Sequence, residues 1–356
     1  MLYTLKIQKL LNQGEALSLP EEKIKLLLQA IKIADENEDL EWGYDLRLML
    51  IETERDVAFT KESIPAFAWV LQVCDQHPDL FSETDFLWQY KWMMADLYDN
   101  PHVSKEQVQA ALEDFKLRLQ RNGYGLRAYY NELYSDALVQ KDAALIQEYG
   151  EQLKTITRDQ MSDCEACEMD AEVSATFELQ GFQQGHEQAL PLLEKQYTCV
   201  HVPMRTLANL SYEAFKNNQP ELAREFCEKA NMELEALTHD ASALLSEIKL
   251  LVFKASANQA AAKEQIEQLV PKVAGNQGRK MFQMALYFME ALRQFPEKDL
   301  FHLLLKEDHG SLQTGKTDYS RDELLAYFEQ VARDIAGLFD RRNGNHNFMK
   351  QLERIR

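Results

Sequence analysis

The sequence predicts an all-α protein in which helical hairpins stack into a right-handed α-solenoid. Glycine and proline number only 13 and 9 in 356 residues, although many-stranded β proteins depend on both at their turns. Apolar residues recur three and four positions apart in almost every segment, which is the spacing of one helix face. The predicted helices come in pairs, and each pair has an apolar face that only stacking against neighbouring pairs can bury.

The chain begins with a predicted N-terminal cap at residues 1–38, made of one or two helices. A single apolar stripe with helical spacing predicts an amphipathic helix that covers the end of the array. The stripe consists of Ile24, Leu27, Leu28, Ile31 and Ala34.

Residues 39–295 are predicted to form the repeat array. One helix is predicted to start after Ser104, a favoured N-cap residue, and to stop at Asn122-Gly123, where glycine can take the left-handed conformation that ends helices. Successive pairs begin about 36–44 residues apart, within the range of helical-hairpin repeats. The first helices of the pairs are predicted to begin near Leu40, Thr84, Leu126, Cys164, Met204, Asp240 and Arg279.

One hairpin, from Leu207 to Ala230, has the pattern of a tetratricopeptide unit. Small residues at Ser211, Ala223 and Ala230 allow two helices to approach closely, and Pro220 suits the first turn of the second helix. We therefore predict a tetratricopeptide-like array. Another α-solenoid repeat is the alternative, because no tryptophan or tyrosine occupies the usual bulky positions.

Residues 296–356 are predicted to be a connector and a C-terminal capping helix at 321–342. The connector includes Gly310 to Thr317, which matches the G-x4-G-K-T pattern of phosphate-binding loops. A working loop of that kind follows a buried strand and opens a helix. Here charged residues precede the glycine, so we predict no nucleotide site.

The charge balance limits which kinds of partner this chain can bind. Its 39 basic and 58 acidic residues give a net charge of −19, and such a surface repels phosphate backbones, so we predict no nucleic-acid partner. The N-terminal residues include Lys6 and Lys9 and no unbroken apolar stretch. We therefore expect neither a secretory signal nor a membrane span. The five cysteines then predict a reducing cytoplasm with free or metal-bound thiols.

The strongest chemical signal is a set of cysteines at the two ends of one predicted hairpin. Cys164 and Cys167 lie one turn apart at the start of its first helix. The second helix returns over about 21 Å against about 27 Å for the first, and the extended residues up to Cys199 make up the difference. Three thiols and the imidazole of His201 therefore converge. This set predicts Cys3His coordination of a structural zinc ion.

Other ligands and other uses of these cysteines stay open. Asp163 or a water molecule could take the place of His201 as fourth ligand. Two cysteines one turn apart are also common as small core residues. A redox dithiol is an alternative, although thioredoxin-type motifs follow a strand. A disulfide from Cys199 to either of the other two fits the geometry, but a reducing compartment disfavours it.

Three segments carry a family resemblance: DCEACEMD at 163–170, the Ala189–Thr206 segment with its Tyr-Thr-Cys and Val-Pro, and FDRRNGN at 339–345. They are similar to a family of uncharacterised bacterial tetratricopeptide-repeat proteins, over roughly residues 120–350. The resemblance implies a cytoplasmic α-solenoid and no known reaction. Where that family often has a histidine just after the Val-Pro, this chain has Met204. The residues of this chain that match the family's motifs are Cys164, Cys167, Cys199 and the Arg341–Asn345 run.

Two groups of side chains are candidates for partner binding. Tyrosines on a first helix would line the concave groove of a solenoid, where they could bind an extended peptide or a partner helix; core packing between repeats is the alternative. An arginine- and asparagine-rich run could bind a carboxylate or phosphate, or simply end a helix. The candidates are Tyr129, Tyr130 and Tyr134, and Arg341, Arg342, Asn343 and Asn345.

The pattern as a whole predicts a protein- or peptide-binding repeat scaffold with a structural zinc site, and not an enzyme. A peptide-sensing regulator that acts through protein partners is the alternative. An enzyme that uses the metal or the Gly310–Thr317 loop ranks below both, because four protein ligands would close a zinc site to substrate.

Overall fold

A computed structural model of the protein describes residues 2–237 and 241–355, without the side chains of residues 241 and 242. Within these residues the fold is all-α, with 17 α-helices and one small sheet. The elements are α1 (Leu2–Glu15), α2 (Pro20–Glu36), α3 (Leu40–Thr53), α4 (Ser63–Gln76), α5 (Leu87–Asp99), α6 (Lys105–Arg121), α7 (Arg127–Gln140), α8 (Ala143–Thr155), α9 (Glu165–Gln180), α10 (Phe182–Leu193), α11 (Met204–Lys216), α12 (Pro220–Leu234), α13 (Ala241–Ala257), α14 (Gln259–Val273), α15 (Arg279–Leu292), β1 (Leu300–His302), β2 (Asp318–Ser320), α16 (Arg321–Asn343) and α17 (Asn347–Arg354).

The predicted helix starts are confirmed to within three residues wherever they fall on described residues; the start near Asp240 lies outside them. From α5 to α15, the first helices of the pairs begin 37 to 40 residues apart. Ser104 caps α6 as predicted, in a capping box with Gln107. Gly344 ends α16 in the left-handed conformation. Local cap chemistry therefore sets where these helices begin and end.

Neighbouring helices pack in sequence order, and the first helices of successive pairs also contact one another from α3 to α15. The series of first helices then curves back on itself, because α15 contacts α5. Polar bonds join α15 to other first helices: Arg279 Nη1 lies 3.0 Å from Asp136 Oδ1 on α7, and Tyr212 on α11 donates to Glu290 at 2.9 Å. Helix α15 is therefore buried on most of its surface.

The predicted connector contains a two-stranded antiparallel sheet that the sequence pattern did not reveal. Strands β1 and β2 pair Leu300 with Ser320, Phe301 with Tyr319 and His302 with Asp318. Three residues are too few to show a period of two. The central pair, Phe301 and Tyr319, is buried in the C-terminal core. No helix among the described residues is long and apolar enough to cross a bilayer.

Candidate metal centre

The predicted convergence of three cysteines is confirmed. Cys164 is the N-cap of α9, where its Sγ accepts the N–H of Cys167 at 3.4 Å. Cys199 begins a tight turn that leads into α11. In that turn Cys199 and Val202 each donate their N–H to the carbonyl of the other, at 3.1 and 3.3 Å. The hairpin of α9 and α10 thus brings both ends of a 36-residue stretch, 164–199, to one place.

The spacing of the sulfur atoms suits a single ion. All three Sγ atoms lie within 4.8 Å of one another, and those of Cys167 and Cys199 are 3.4 Å apart. A tetrahedral ion with metal–sulfur bonds of about 2.3 Å would hold its sulfur ligands about 3.8 Å apart. Cys164 is exposed and the other two cysteines are half-buried. An ion could therefore reach the cluster from solvent and bind with small side-chain movements.

The surroundings of Cys167 and Cys199 shift the pKa values of these two thiols in opposite directions. Burial works to raise the pKa of Cys199, but the backbone N–H groups of His201 and Val202 and the neighbouring thiols outweigh it and lower that pKa. Burial raises the pKa of Cys167, although the Arg205 guanidinium acts in the opposite direction. Of the two thiols, Cys199 therefore loses its proton more readily, because amide dipoles stabilise its thiolate.

The predicted fourth ligand does not join the group. The His201 imidazole is not among the ligand atoms that lie within 4.8 Å of one another. The tight turn instead places the backbone N–H of His201 against the Cys199 sulfur. The rival ligand Asp163 is engaged elsewhere, because its carboxylate accepts from Lys91 Nζ at 2.5 Å and from Asn131 at 2.6 Å. The structure therefore brings together three ligands of the predicted four.

The acidic residues around the cysteines are bound by basic side chains. Glu168, one residue after Cys167, accepts from Arg127 at 2.7 Å and also from Arg158. These arginines come from α7 and from the segment before α9, so the pairs fix the start of α9 to the preceding hairpin. The sequence places the acids beside the cysteines, but it does not indicate which arginines reach them.

A second clamp joins α9 to the segment that follows Cys199. Asp170 is buried, and its two oxygens accept from Arg205 Nε at 2.6 Å and from the Thr206 hydroxyl at 2.5 Å. The positive charge of Arg205 interacts electrostatically with Cys167 and Cys199 as well as with Asp170. The Arg205 guanidinium therefore joins the segment after Cys199 to α9 through Asp170, and it supplies positive charge near the thiols.

The predicted aromatic candidates on α7 lie mainly between repeats. Tyr129 and Tyr134 are buried in hydrophobic clusters, and Tyr130 is partly buried beside them. Tyr129 donates to Glu113 at 3.4 Å and packs edge-on against Tyr130, with the ring centroids 5.1 Å apart. These contacts match the core alternative for Tyr129 and Tyr134 more closely than an open groove.

The predicted arginine–asparagine run makes contacts within the chain. Arg342 Nη1 donates to the carbonyls of Tyr98 and Asn100 at 3.2 and 3.0 Å, at the C-terminal end of α5. Asn343 and Asn345 both donate to Gln140 Oε1 at the end of α7, at 3.2 and 2.8 Å. Arg341 is the exposed member of the run. Most of the polar groups of the arginine–asparagine run therefore join α16 to α5 and α7.

A groove lined by α12, α13 and α14 lies on another part of the surface. It comprises two adjoining cavities of about 520 and 450 Å³ that share Asn231, Lys254 and Gln265 in their lining. The Lys254 ammonium donates to Gln265 at 3.2 Å, and burial lowers its pKa. The other charged lining residues are Glu228, Glu235, Glu247 and Glu264. The groove is thus acidic at its sides and rich in amide groups.

The Gly310–Thr317 segment joins β1 to β2 and does not open a helix. Lys316 is paired with Glu323, and Asp308 accepts the N–H of Thr314 at 2.7 Å. The lysine and a backbone N–H that a phosphate would need are thus bound to carboxylates.

No protein-family model, curated protein or solved structure matches this chain. The resemblance of its cysteine segments to bacterial tetratricopeptide-repeat proteins stays a prediction.

Proposed function

We propose that this chain is a cytoplasmic helical-repeat scaffold that binds a protein or peptide, in which Cys164, Cys167 and Cys199 hold a structural zinc ion. The convergence of the three sulfur atoms within 4.8 Å is the observation that supports it best. They come from two segments that meet only because the hairpin returns on itself. Such closure by a metal is typical of structural zinc sites.

The donor set favours zinc among the common ions. Thiolates are soft ligands that select Zn²⁺, Cu⁺ or iron–sulfur clusters, whereas Mg²⁺ and Ca²⁺ prefer oxygen. Three thiolates and one Zn²⁺ carry a net charge of −1, and the nearby Arg205 guanidinium, which also pairs with Asp170, attracts that charge. His201 or a water molecule would complete four-coordination, since the residue lies two positions from Cys199.

The ion would act as a staple. It would tie the start of α9 to the turn before α11, and so enclose the α9–α10 hairpin. In a repeat array each hairpin depends on its neighbours for stability, so one loosened hairpin weakens the coupling of the two sides. The free energy of metal binding would therefore appear as stability of this hairpin.

Elemental analysis of protein purified without chelator tests this proposal. We expect about one zinc per chain. Cys199→Ser should lose the metal and lower the Tm, whereas Cys74→Ser, remote from the cluster, should keep the metal. His201→Ala should weaken metal retention if the imidazole is the fourth ligand. Metal-free protein with the same melting curve for wild type and Cys199→Ser would refute the staple.

A tetratricopeptide-like, right-handed arrangement of the hairpins is part of the proposal. The α11–α12 pair supports it, because Ser211, Ala223 and Ala230 are fully buried there. The Ser211 hydroxyl donates to the Ala223 carbonyl at 2.9 Å, which requires close helix approach. The spacing of 37 to 40 residues is longer than the 34 typical of that repeat. An experimental structure would decide the handedness.

The α12–α14 groove is the surface that we propose for the partner. The candidate residues on α7 and α16 are largely engaged within the chain, whereas this groove is open. Its amide side chains could bind the backbone of an extended peptide, and its glutamates favour lysine or arginine side chains. Arrays of extended basic and acidic peptides would test the groove. Binding should favour the basic set, and Glu228→Lys with Glu264→Lys should weaken it at least tenfold, by our estimate of two lost charge contacts; Glu41→Lys on α3 is the matched control.

A further inference from the structure

The two closest thiols of the cluster are placed to form a disulfide. Their sulfur atoms are 3.4 Å apart, and a disulfide bond is about 2.05 Å long, so closure needs a movement of about 1.4 Å. Cys167 lies in the first turn of α9 and Cys199 in the turn before α11, so the bond would join two separate elements. The exposed Cys164 gives solvent a path to the group.

We propose that, without metal, the cluster is a peroxide-reactive site that closes a Cys167–Cys199 disulfide. The inference uses the same thiols as the proposed zinc site but does not require that zinc binds. Bound zinc would protect the thiolates, because their lone pairs would be engaged by the ion.

The chemistry uses hydrogen peroxide as the oxidant. One thiolate attacks the O–O bond; an S–O bond forms, the O–O bond breaks and hydroxide leaves to give a sulfenic acid. The second thiolate then attacks that sulfur; the S–S bond forms and the S–O bond breaks, with hydroxide as the leaving group. Two thiols and one peroxide thus yield one disulfide and two waters. The sulfur pair loses two electrons and the peroxide gains them.

The geometry favours this pair over the C-x2-C pair. The Cys164 sulfur caps the helix by accepting the N–H of Cys167 at 3.4 Å, whereas the Cys167 sulfur lies 3.4 Å from that of Cys199. A link to Cys199 closes a loop around the whole α9–α10 hairpin, and longer loops stabilise the folded state more. Whichever sulfur is oxidised first, thiol–disulfide exchange connects the three thiols, and the 3.4 Å separation of the Cys167 and Cys199 sulfur atoms favours the bond between them.

Disulfide mapping of the full-length chain tests the proposal. Chelated protein is treated with hydrogen peroxide, its remaining thiols are alkylated, and the peptides are analysed by mass spectrometry. We expect a Cys167–Cys199 link that dithiothreitol reverses and that raises the Tm, with Cys74 and Cys227 still alkylated. Cys164→Ser should keep the link, and Cys167→Ser should abolish it.

A mapped Cys164–Cys167 bond, oxidation to sulfinic acid without a disulfide, or unreacted thiols would each overturn the proposal. Parallel elemental analysis separates its fate from that of the zinc site. The link in a protein that never binds zinc would support this inference and refute the staple. Zinc binding without a Cys167–Cys199 link after chelation would support the staple and refute this inference.

Discussion

The cysteine hairpin and helix α15 are held in the fold by different interactions. Ten of the 14 residues of α15 are buried, and the 32 buried residues that the structure describes in the surrounding core include eight leucines and seven phenylalanines. The core around α9 to α12 is instead rich in alanine, including Ala189, Ala208 and Ala223. There, ion pairs such as that of the buried Asp170 with the half-exposed Arg205 supply additional links, and the three thiols converge. The comparison shows that the core with the smaller apolar side chains is the one that also contains this ion pair and the proposed metal site.

The largest expected effect removes apolar volume beside α15. Phe288 is fully buried and stacks on Phe328 with ring centroids 4.5 Å apart. Phe288→Ala should lower the free energy of unfolding by about 3–5 kcal/mol, through lost burial and the cavity left behind. Urea denaturation followed by circular dichroism measures it. Leu304→Ala, at a side chain 70% exposed, is the control and should change stability by less than about 0.5 kcal/mol.

A second substitution tests how α15 meets α5. Gly278 precedes α15 with φ 97° and ψ 173°, a conformation that only glycine adopts readily. A Cβ there would lie 2.8 Å from the Asp99 carbonyl oxygen. Gly278→Ala should therefore cost about 1–3 kcal/mol or more, with faster amide exchange at the start of α15. Gly315→Ala, which meets no atom within 4 Å, should leave both quantities unchanged.

A substitution at Asp170 tests the contribution of the Asp170–Arg205 ion pair. Asp170→Asn keeps the shape of the side chain but removes the charge that pairs with the half-exposed Arg205. We expect a loss of about 1–3 kcal/mol. We also expect metal affinity to fall about 10- to 100-fold, because the clamp positions the segment after Cys199. Glu165→Gln is the matched control, since Glu165 is exposed and lies 3.9 Å from Arg158. Equal effects from the two variants would argue against a special role for the clamp.

A pH dependence is expected at α7. Burial, and then the Asp163 carboxylate, raise the pKa of Glu132 to about 8, against the attraction of Lys91, Arg279 and Arg55. A carboxyl whose folded pKa is raised contributes stability that is full below its unfolded pKa of about 4.3. That contribution declines as the pH rises towards 8. Glu132→Gln should therefore raise the Tm at pH 8.5 relative to wild type and change it little at pH 4. A Tm difference that is the same at both pH values would contradict this.

Local signals predicted most of the fold. Helix starts follow from caps such as Ser104 and from the apolar spacing, which act within a few residues along the chain. The convergence of the cysteines followed from helix length alone, because an antiparallel return must end level with its start. Long-range partners were not predictable in this way. Arg342 binds carbonyls more than 240 residues away, and no local pattern indicates that α16 meets α5.

The fourth ligand shows the same limit within a short segment. His201 and Asp163 both stand close to the cysteines in sequence. Whether either of them reaches the sulfur atoms depends on the turn after Cys199 and on Lys91, a residue of α5 that binds Asp163. The two short strands were missed for a different reason, since each has only three residues.

X-ray absorption at the zinc edge of the purified full-length protein tests the central claim most directly, because it counts the sulfur atoms bound to the ion. The staple predicts one zinc per chain with three sulfur ligands at about 2.3 Å and one lighter ligand at about 2.0–2.1 Å. In Cys199→Ser the signal should disappear. Zinc surrounded only by oxygen and nitrogen, or a signal unchanged in Cys199→Ser, would contradict the account.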